Sequence, residues 1–322
     1  MFLPTPGEFL SGISENSNIL LCHQPGFWNP GVAVKFFLHD LLPEGRKSLL
    51  FLDTDRARAK VKVPATIGSE TVYLIRTNEV MSELPTPPES DIRMFFGKMV
   101  DFLRDADLPD KEQVLERLEN FRDLFLSNAE SPLLKETMAE SFLNWARIDM
   151  EFGFISDILR KKTYQDFVKG ILENSKEFRN QFNQILDDYR DNFRFRYRNY
   201  PFPKLKEGEM PFWIVRENSR DRMYKKDLEE IDFELPNILP RAVTLTLYLR
   251  MHESDAFIHG VGGGNYEWVG DRLMERFFNL KPPPYAVISG TFHLTGTKER
   301  DLPYFLYSKE NLREKCLEKL TF

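Results

Sequence analysis

The sequence predicts an α/β protein, a mostly parallel sheet carrying a large helical, coiled-coil-like insertion. Three observations predict it. A strand, a helix and a second strand follow one another between Asn18 and Asp53, a βαβ unit that implies a parallel sheet with a right-handed crossover. From Asp91 to about Arg198 the apolar residues then recur at helical spacing. At Asp255–Phe278, DAFIHGVGGGNYEWVGDRLMERFF, a short buried strand leads through a glycine-rich turn into an amphipathic helix. The expected organisation is residues 1–87 as the first half of the core, 88–200 as the insertion and 201–322 as the second half.

Residues 1–17 read as an irregular or partly helical lead-in. Asn18–Cys22 (NILLC) is a buried strand, followed by a turn punctuated by Pro25, Gly26, Pro30 and Gly31. A helix fits Val32–Leu42, with Val34, Phe37, Leu38 and Leu41 on its apolar face. Ser48–Asp53 (SLLFLD) is the second buried strand. Lys60–Pro64 and Thr71–Arg76 alternate like edge or hairpin strands.

The proline-containing stretch Leu84–Ser90 marks the boundary of the insertion, where helices fit near 91–106, 109–128 and 132–148. A longer one is predicted from about Thr163 to beyond Asp191. In it Tyr164, Ile171, Phe178 and Ile185, and Val168, Ser175, Phe182 and Tyr189, repeat every seven residues, the spacing of a coiled-coil seam. Pairing within the insertion, pairing with a second chain as a homodimer, and packing onto its own domain all remain open. In Asn192–Phe202 the residues Arg194, Arg196 and Arg198 alternate with Phe193, Phe195 and Tyr197. A strand there sends the arginines to one face, suited to phosphate or a base stack or simply to solvent.

The α/β pattern returns at Phe212–Arg216, with Arg222–Lys225 as a pairing strand. Arg241–His252 (RAVTLTLYLRMH) reads as a packed helix despite its β-branched residues. Pro282–Pro284 ends the helix after the glycine turn, Tyr285–Phe292 is a buried strand, and Lys309–Leu320 is a closing amphipathic helix.

The chain has 322 residues, 42% apolar and 29% charged, ordinary for a globular protein with a sizeable core. A net charge of −6 speaks against wholesale nucleic-acid binding while allowing a local basic patch. No apolar run reaches the ~18–20 residues of a membrane span, and the N-terminus lacks the pattern of a signal peptide. Cys22 and Cys316 lie far apart without metal spacing, which fits a reducing cytoplasm. The 28 phenylalanines read as packing residues.

Chemistry is expected at strand ends, because ligands of open parallel sheets bind in the crevice beyond the carboxyl ends of the strands. Three polar groups fall there: His23-Gln24, Asp53-Thr54-Asp55 and His259-Gly260. His23 and His259 are the candidate catalytic or ligand-orienting residues, and each also suits a structural turn. Asp53 and Asp55 are of the type that takes a ribose or sugar hydroxyl or a hydrated Mg²⁺, or that caps a turn. ATP or ADP and Mg²⁺ are accordingly the candidate cofactors. Gly260, Gly262, Gly263 and Gly264, with Asn265, either offer backbone amides to an anion or supply positive φ in a tight turn. Gln24 and Asn29 are further ligand-binding candidates, and Lys35 is a fainter one that equally suits a solvated position. His39, His252 and His293 are read as structural. The glycines do not form G-x-G-x-x-G, and neither G-K-[ST], H-E-x-x-H nor C-x-x-C occurs. No tightly bound structural metal is expected.

The turn LLCHQPGFWNPGVAVKFF resembles the G-[HQ]-Q-P/A-G…G-P opening of the bacillithiol-synthesis cysteine-adding enzymes, and LFLDTDRARAKVKVP resembles the acidic strand end that follows it. The stretch from Asp255 through PPPYAVISGTFHL is similar to that family's late segment, with His259-Gly260-Val261-Gly262 standing where the family has G-P-G-E. A group of uncharacterised bacterial proteins with GHQPE-x-F-H-P-G-V, PFW and FIHG-x-GG-x-x-Y-D is similar too, matched here also by Pro211–Trp213 and Leu239–Arg250. The resemblance covers the two terminal portions of the chain, and the middle only in kind. It implies a Rossmann-like core with a helical insertion, and ligase-like C–N bond chemistry on a small anionic or sugar-like metabolite. A non-catalytic ligand-binding or scaffold protein that dimerises through the insertion is the alternative.

Overall fold

The computed structural model describes residues 13–108, 110–194, 200–230, 237–290 and 303–306. The lead-in before Ile13, Arg196, Arg198, His293, Cys316 and the closing helix Lys309–Leu320 lie outside them.

Short, largely apolar runs form the strands of the main sheet. Ile19–His23 (β1), Lys47–Phe51 (β2), Phe152–Phe154 (β5), Ala256–His259 (β9) and Tyr285–Val287 (β10) form a five-stranded parallel sheet in the order β10-β9-β1-β2-β5. In the β9–β10 pair Tyr285, Ala286 and Val287 lie opposite Phe257, Ile258 and His259. In β1 and β9 consecutive residues are buried, Ile19–Leu21 and Ala256–His259, which explains why these two strands read as apolar runs rather than alternating ones.

Contacts divide the chain into two compact units, Met1–Leu20 with Gly153–Val287, and Leu21–Phe152 with Ile288–Phe322. The helical stretch expected as one insertion is shared between them.

In the second of these, helix α1 (Pro30–Asp40) starts at Asn29, whose side chain accepts the Val32 amide, with proline at its first position, a strong start signal. Lys60–Pro64 (β3) and Ser69–Tyr73 (β4) pair antiparallel as a hairpin. Helices α2 (Glu89–Asp105), α3 (Lys111–Asn128) and α4 (Leu134–Ala146) follow. Their apolar faces meet in an aromatic core that includes Phe27, Trp28, Phe36, Phe121, Phe142 and Tyr304. The phenylalanine abundance is thus spent on packing.

In the other unit, a short helix Ile155–Ile158 (α5) is followed by Lys162–Glu173 (α6) and Ser175–Asn192 (α7). The single long helix expected here is interrupted at Asn174, which leaves helical geometry with φ −108° and ψ 27°. The seven-residue stripe survives the break, but it is buried in its own unit. Tyr164, Ile171, Phe178, Ile185, Val168, Phe182 and Tyr189 are all buried. Phe178 meets Phe277, Tyr164 meets Tyr248 and Tyr189 meets Trp268. After α7, Arg194 has φ 56°, and residues 195–198, on which the expected alternating strand falls, lie outside the described residues. Glu209–Arg216 (β6), Ser219–Tyr224 (β7) and Ile238–Pro240 (β8) form an antiparallel sheet, ordered β7-β6-β8. The expected hairpin is present, and β8 adds a strand that was not expected. Arg241–His252 is helical, as Ala242–Tyr248 (α8) and a π-helical turn Leu249–Glu253. Val261–Gly264 (α9) and Glu267–Arg276 (α10) follow β9.

Among the described residues no helix is long and apolar enough to cross a membrane.

Candidate functional site

Each unit gathers ionisable groups at strand ends. In the unit holding β9, His259 closes the strand and is 6% exposed. Helix α10 carries Glu267 at its first position, where a carboxylate suits the helix dipole. The π-helical turn carries Arg250. Glu267 and Arg250 are both fully buried. Glu267 Oε1 lies 2.9 Å from His259 Nε2, and Glu267 Oε2 accepts a hydrogen bond from Arg250. Arg250 also pairs with Asp271 at 2.8 Å, donates to the Pro283 carbonyl and lies 4.9 Å over the Tyr285 ring. The His259 ring is boxed by Phe257, Tyr266 and Tyr285, with centroids 4.4, 6.3 and 6.0 Å away.

Burial alone would raise the Glu267 carboxyl, but His259 and Arg250 outweigh it and hold its pKa below the usual carboxylate range. Asp271 goes the other way, raised by burial although Arg250 opposes the shift. The Tyr285 phenol is pushed up to about 12 by burial and by the neighbouring Asp271 and Glu267. One cation, Arg250, thus serves two carboxylates while an imidazole sits on the far side of the inner one.

The glycine turn does not use the positive φ that was one expectation for it. Gly260 has φ −84°, and the positive-φ glycines among the described residues are Gly45, Gly68 and Gly208. The stretch Val261–Gly264 is instead a helical turn, closed by the Gly264 amide on the Gly260 carbonyl and the Asn265 amide on the Val261 carbonyl. The glycines serve close packing. A Cβ on Gly263 would run into the His259 imidazole and one on Gly264 into the Val287 side chain, whereas Gly262 faces open space. The Asn265 carbonyl accepts the Tyr189 hydroxyl at 2.5 Å.

In the unit holding β2, His23 follows Cys22 at the end of β1 and is half-buried, packed edge-on against Trp28 with centroids 5.1 Å apart. Protein atoms crowd it closely enough that desolvation, aided by the Lys35 charge, lowers its pKa to about 3. The Cys22 thiol is pushed up to about 12 by burial, against the pull of Lys35. His23 is a neutral imidazole at pH 7 and Cys22 a protonated thiol, so neither is an ionised catalytic group there. Lys35 is 1% exposed, not solvated. No carboxylate among the described residues forms an ion pair with it, and burial lowers its pKa to about 8.

The two aspartates separate. Asp53 is fully buried and bonds Lys135 Nζ at 2.8 Å, a closed ion pair instead of an open ligand for Mg²⁺ or a ribose. Asp55 accepts a hydrogen bond from the Gln24 side chain, which brings together two predicted site residues. Asn29 is spent on capping α1. Among the described residues no group of three His, Cys, Asp or Glu side chains is arranged to hold a metal ion.

Sequence reasoning missed Glu267, Arg250 and Asp271, because charged residues in an amphipathic helix such as Glu267 and Asp271 suggest its solvent face. A signal was there: Arg250 is a charge within an otherwise apolar run, a position that demands a buried partner.

No known family model matches this chain, and no curated protein matches it either.

Proposed function

We propose that the chain is an enzyme with a Rossmann-like core that binds a small anionic or sugar-like metabolite and carries out ligase-like C–N bond chemistry. The observation that carries the proposal is His259 at the carboxyl end of a parallel strand, its imidazole facing buried Glu267 at 2.9 Å. Such strand ends are where open α/β sheets take their ligands. A histidine oriented by a carboxylate is a common acid–base arrangement. The resemblance to the cysteine-adding enzymes supplies the reaction class, with ATP or ADP as the nucleotide to test. Gln24 and Asp55 remain the polar pair for a ligand in the other unit, while Asp53 and Asn29 already have structural partners. A cytoplasmic setting belongs to the same proposal, through the two distant cysteines.

The scaffold alternative rests on self-association through the helical stripe. Phe178 and Phe182 are buried within their own unit, so they offer no face to a second chain.

A thermal-shift screen of the wild type and His259→Ala against nucleotides, sugar acids, amino acids and divalent metals tests the proposal. A ligand at a hundredfold excess over its Kd raises stability by about 2.7 kcal/mol. The expected result is a shift in the wild type that disappears in a folded His259→Ala protein. A shift that survives the substitution removes His259 from the site, and silence across the panel with both proteins folded sinks the proposal.

A further inference from the structure

We infer that Lys35 is the cation of a small oxyanion site where β1 runs into α1, and that it takes a carboxylate or phosphate group of a ligand there. The inference goes beyond the proposed function, whose chemistry lies at His259 in the other unit, and it stands or falls without it.

Lys35 is 1% exposed, and a buried ammonium demands a counter-charge. Among the described residues no hydrogen bond or ion pair reaches it. The groups near it that could serve are committed or uncharged. Asp53 is bonded to Lys135 at 2.8 Å, and Asp55 accepts a hydrogen bond from Gln24. Cys22 is a protonated thiol and His23 a neutral imidazole. The Phe36 ring, its centroid 6.0 Å from Nζ, lies at the outer limit of a cation–π contact. The side chain also runs toward the positive end of its own helix. A helical side chain leans toward the N-terminus, over the residue four places back, here Gly31. The charge of Lys35 accordingly acts on Cys22 and His23, at the carboxyl end of β1 from which the chain enters α1. No acidic residue lies in the first turn of α1. Pro30 has no N–H, the Val32 amide goes to the Asn29 side chain and the Ala33 amide to the Asn29 carbonyl. Among the described residues the Gly31 amide has no acceptor, and the Gly290 carbonyl packs against Gly31 without taking it. A buried ammonium and an unsatisfied amide, one turn apart on one helix, both call for an oxygen that carries negative charge. Trp28 stacks on Phe36 at 4.9 Å and His23 stands edge-on to Trp28 at 5.1 Å. That wall is largely apolar, and an ion pair beside it is stronger than in water. The strand end itself is open, with Cys22 and His23 half-buried and Gln24 exposed.

The test is anion binding to the full chain at constant ionic strength, with inorganic phosphate, malate and, as the control, chloride. Phosphate or malate is expected to raise the Tm of the wild type, and chloride to leave it unchanged. Lys35→Met keeps much of the side-chain volume without the charge. In that variant the affinity for the responding anion should fall about 10–100-fold, the weight of a hydrogen bond to a charged group. An equal response in a folded Lys35→Met protein, or no response of the wild type to either anion, overturns the inference. A response to phosphate alone supports it for a phosphoryl group, and one to malate alone supports it for a carboxylate. A second readout, on the wild type alone, is trace acetylation by acetic anhydride followed by mass spectrometry. The amine attacks one carbonyl of the reagent, the N–C bond forms, and acetate leaves while the amine proton goes to water. The responding anion should slow the labelling of Lys35 and leave that of exposed Lys98 unchanged. Equal slowing of both lysines, or none at Lys35, overturns the inference.

Neither readout involves His259. An anion response that survives His259→Ala but not Lys35→Met supports this site, whatever becomes of the enzymatic proposal. A response that survives Lys35→Met and is lost in a folded His259→Ala protein overturns it and assigns the anion to the other unit.

Discussion

Arg250, Glu267 and Asp271 bury their charges by sharing them, whereas in the other unit Lys35 is buried, and His23 half-buried, beside groups that do not neutralise a cation. Arg250 has two carboxylates and a carbonyl around it. Lys35 has Cys22, a protonated thiol, and His23, whose own protonation Lys35 disfavours. The same cost, removing charge from water, is met in one place by pairing and in the other by a lowered pKa. Pairing leaves a fixed, charged framework that can orient an imidazole. A lowered pKa leaves a group that changes its charge within a readily accessible pH range.

The largest effect should come from breaking the paired framework. Arg250→Met leaves Glu267 and Asp271 buried without their cation, and removing one partner of a buried pair costs about 3–5 kcal/mol. Urea unfolding should show that loss, and Glu267→Gln added to Arg250→Met should recover part of it, because one uncompensated anion is gone. If the two losses simply add, the network is not coupled as its geometry implies.

Lys35→Met tests the other unit with the opposite sign. Burial lowers Lys35 from 10.5 to about 8, which corresponds to about 3 kcal/mol of penalty on the charged form below that pH. Methionine fills a similar volume without the charge, so at pH 7 the variant should be more stable by up to about 3 kcal/mol. The pH dependence follows from the same shift. Between pH 8 and 10.5 the unfolded chain holds the lysine proton more tightly than the folded one, so this residue makes stability rise with pH across that window. The buried phenols of Tyr189, Tyr248 and Tyr285, all raised, act in the other direction above pH 10. The informative quantity is therefore the difference between wild type and Lys35→Met, which should shrink from pH 8 upward. A variant less stable than the wild type at pH 7 would mean that the ammonium has a partner that matters.

Much of this architecture was legible because burial writes itself into short apolar runs. Asn18–Cys22 and Ser48–Asp53 were read within two residues of β1 and β2, and the first helix and the hairpin of β3 and β4 fell within a few residues of their expected places. The Asn174 break was hidden because the seven-residue stripe keeps its phase through Ser175. The candidate sites were legible only as positions. His23, Asp55 and His259 do sit at strand ends, but which of them carries an ionised partner depends on tertiary pairing. Asp53 and Lys135 are 82 residues apart in sequence, and no local period predicts such a pair. Lys35, in the run Ala33–Phe37, looked like an ordinary helical lysine until its neighbours on both sides proved buried.

Finer still is the contrast between two adjacent glycines of one helical turn. A Cβ on Gly263 meets the boxed imidazole of His259, which has nowhere to move, so Gly263→Ala should cost about 1–3 kcal/mol as an overpacking substitution. At Gly262 the Cβ would meet nothing, and its φ is not in the left-handed region. Gly262→Ala should therefore gain about 0.4–1 kcal/mol by restricting the unfolded chain. The sign of that small change separates two reasons for a glycine. If Gly262→Ala stabilises the protein and keeps every thermal-shift response, the turn is glycine-rich for packing alone, against His259 and Val287. A stabilised Gly262→Ala protein that has lost its response would instead mean that the open space above Gly262 is where the ligand lies, against the same turn that carries His259.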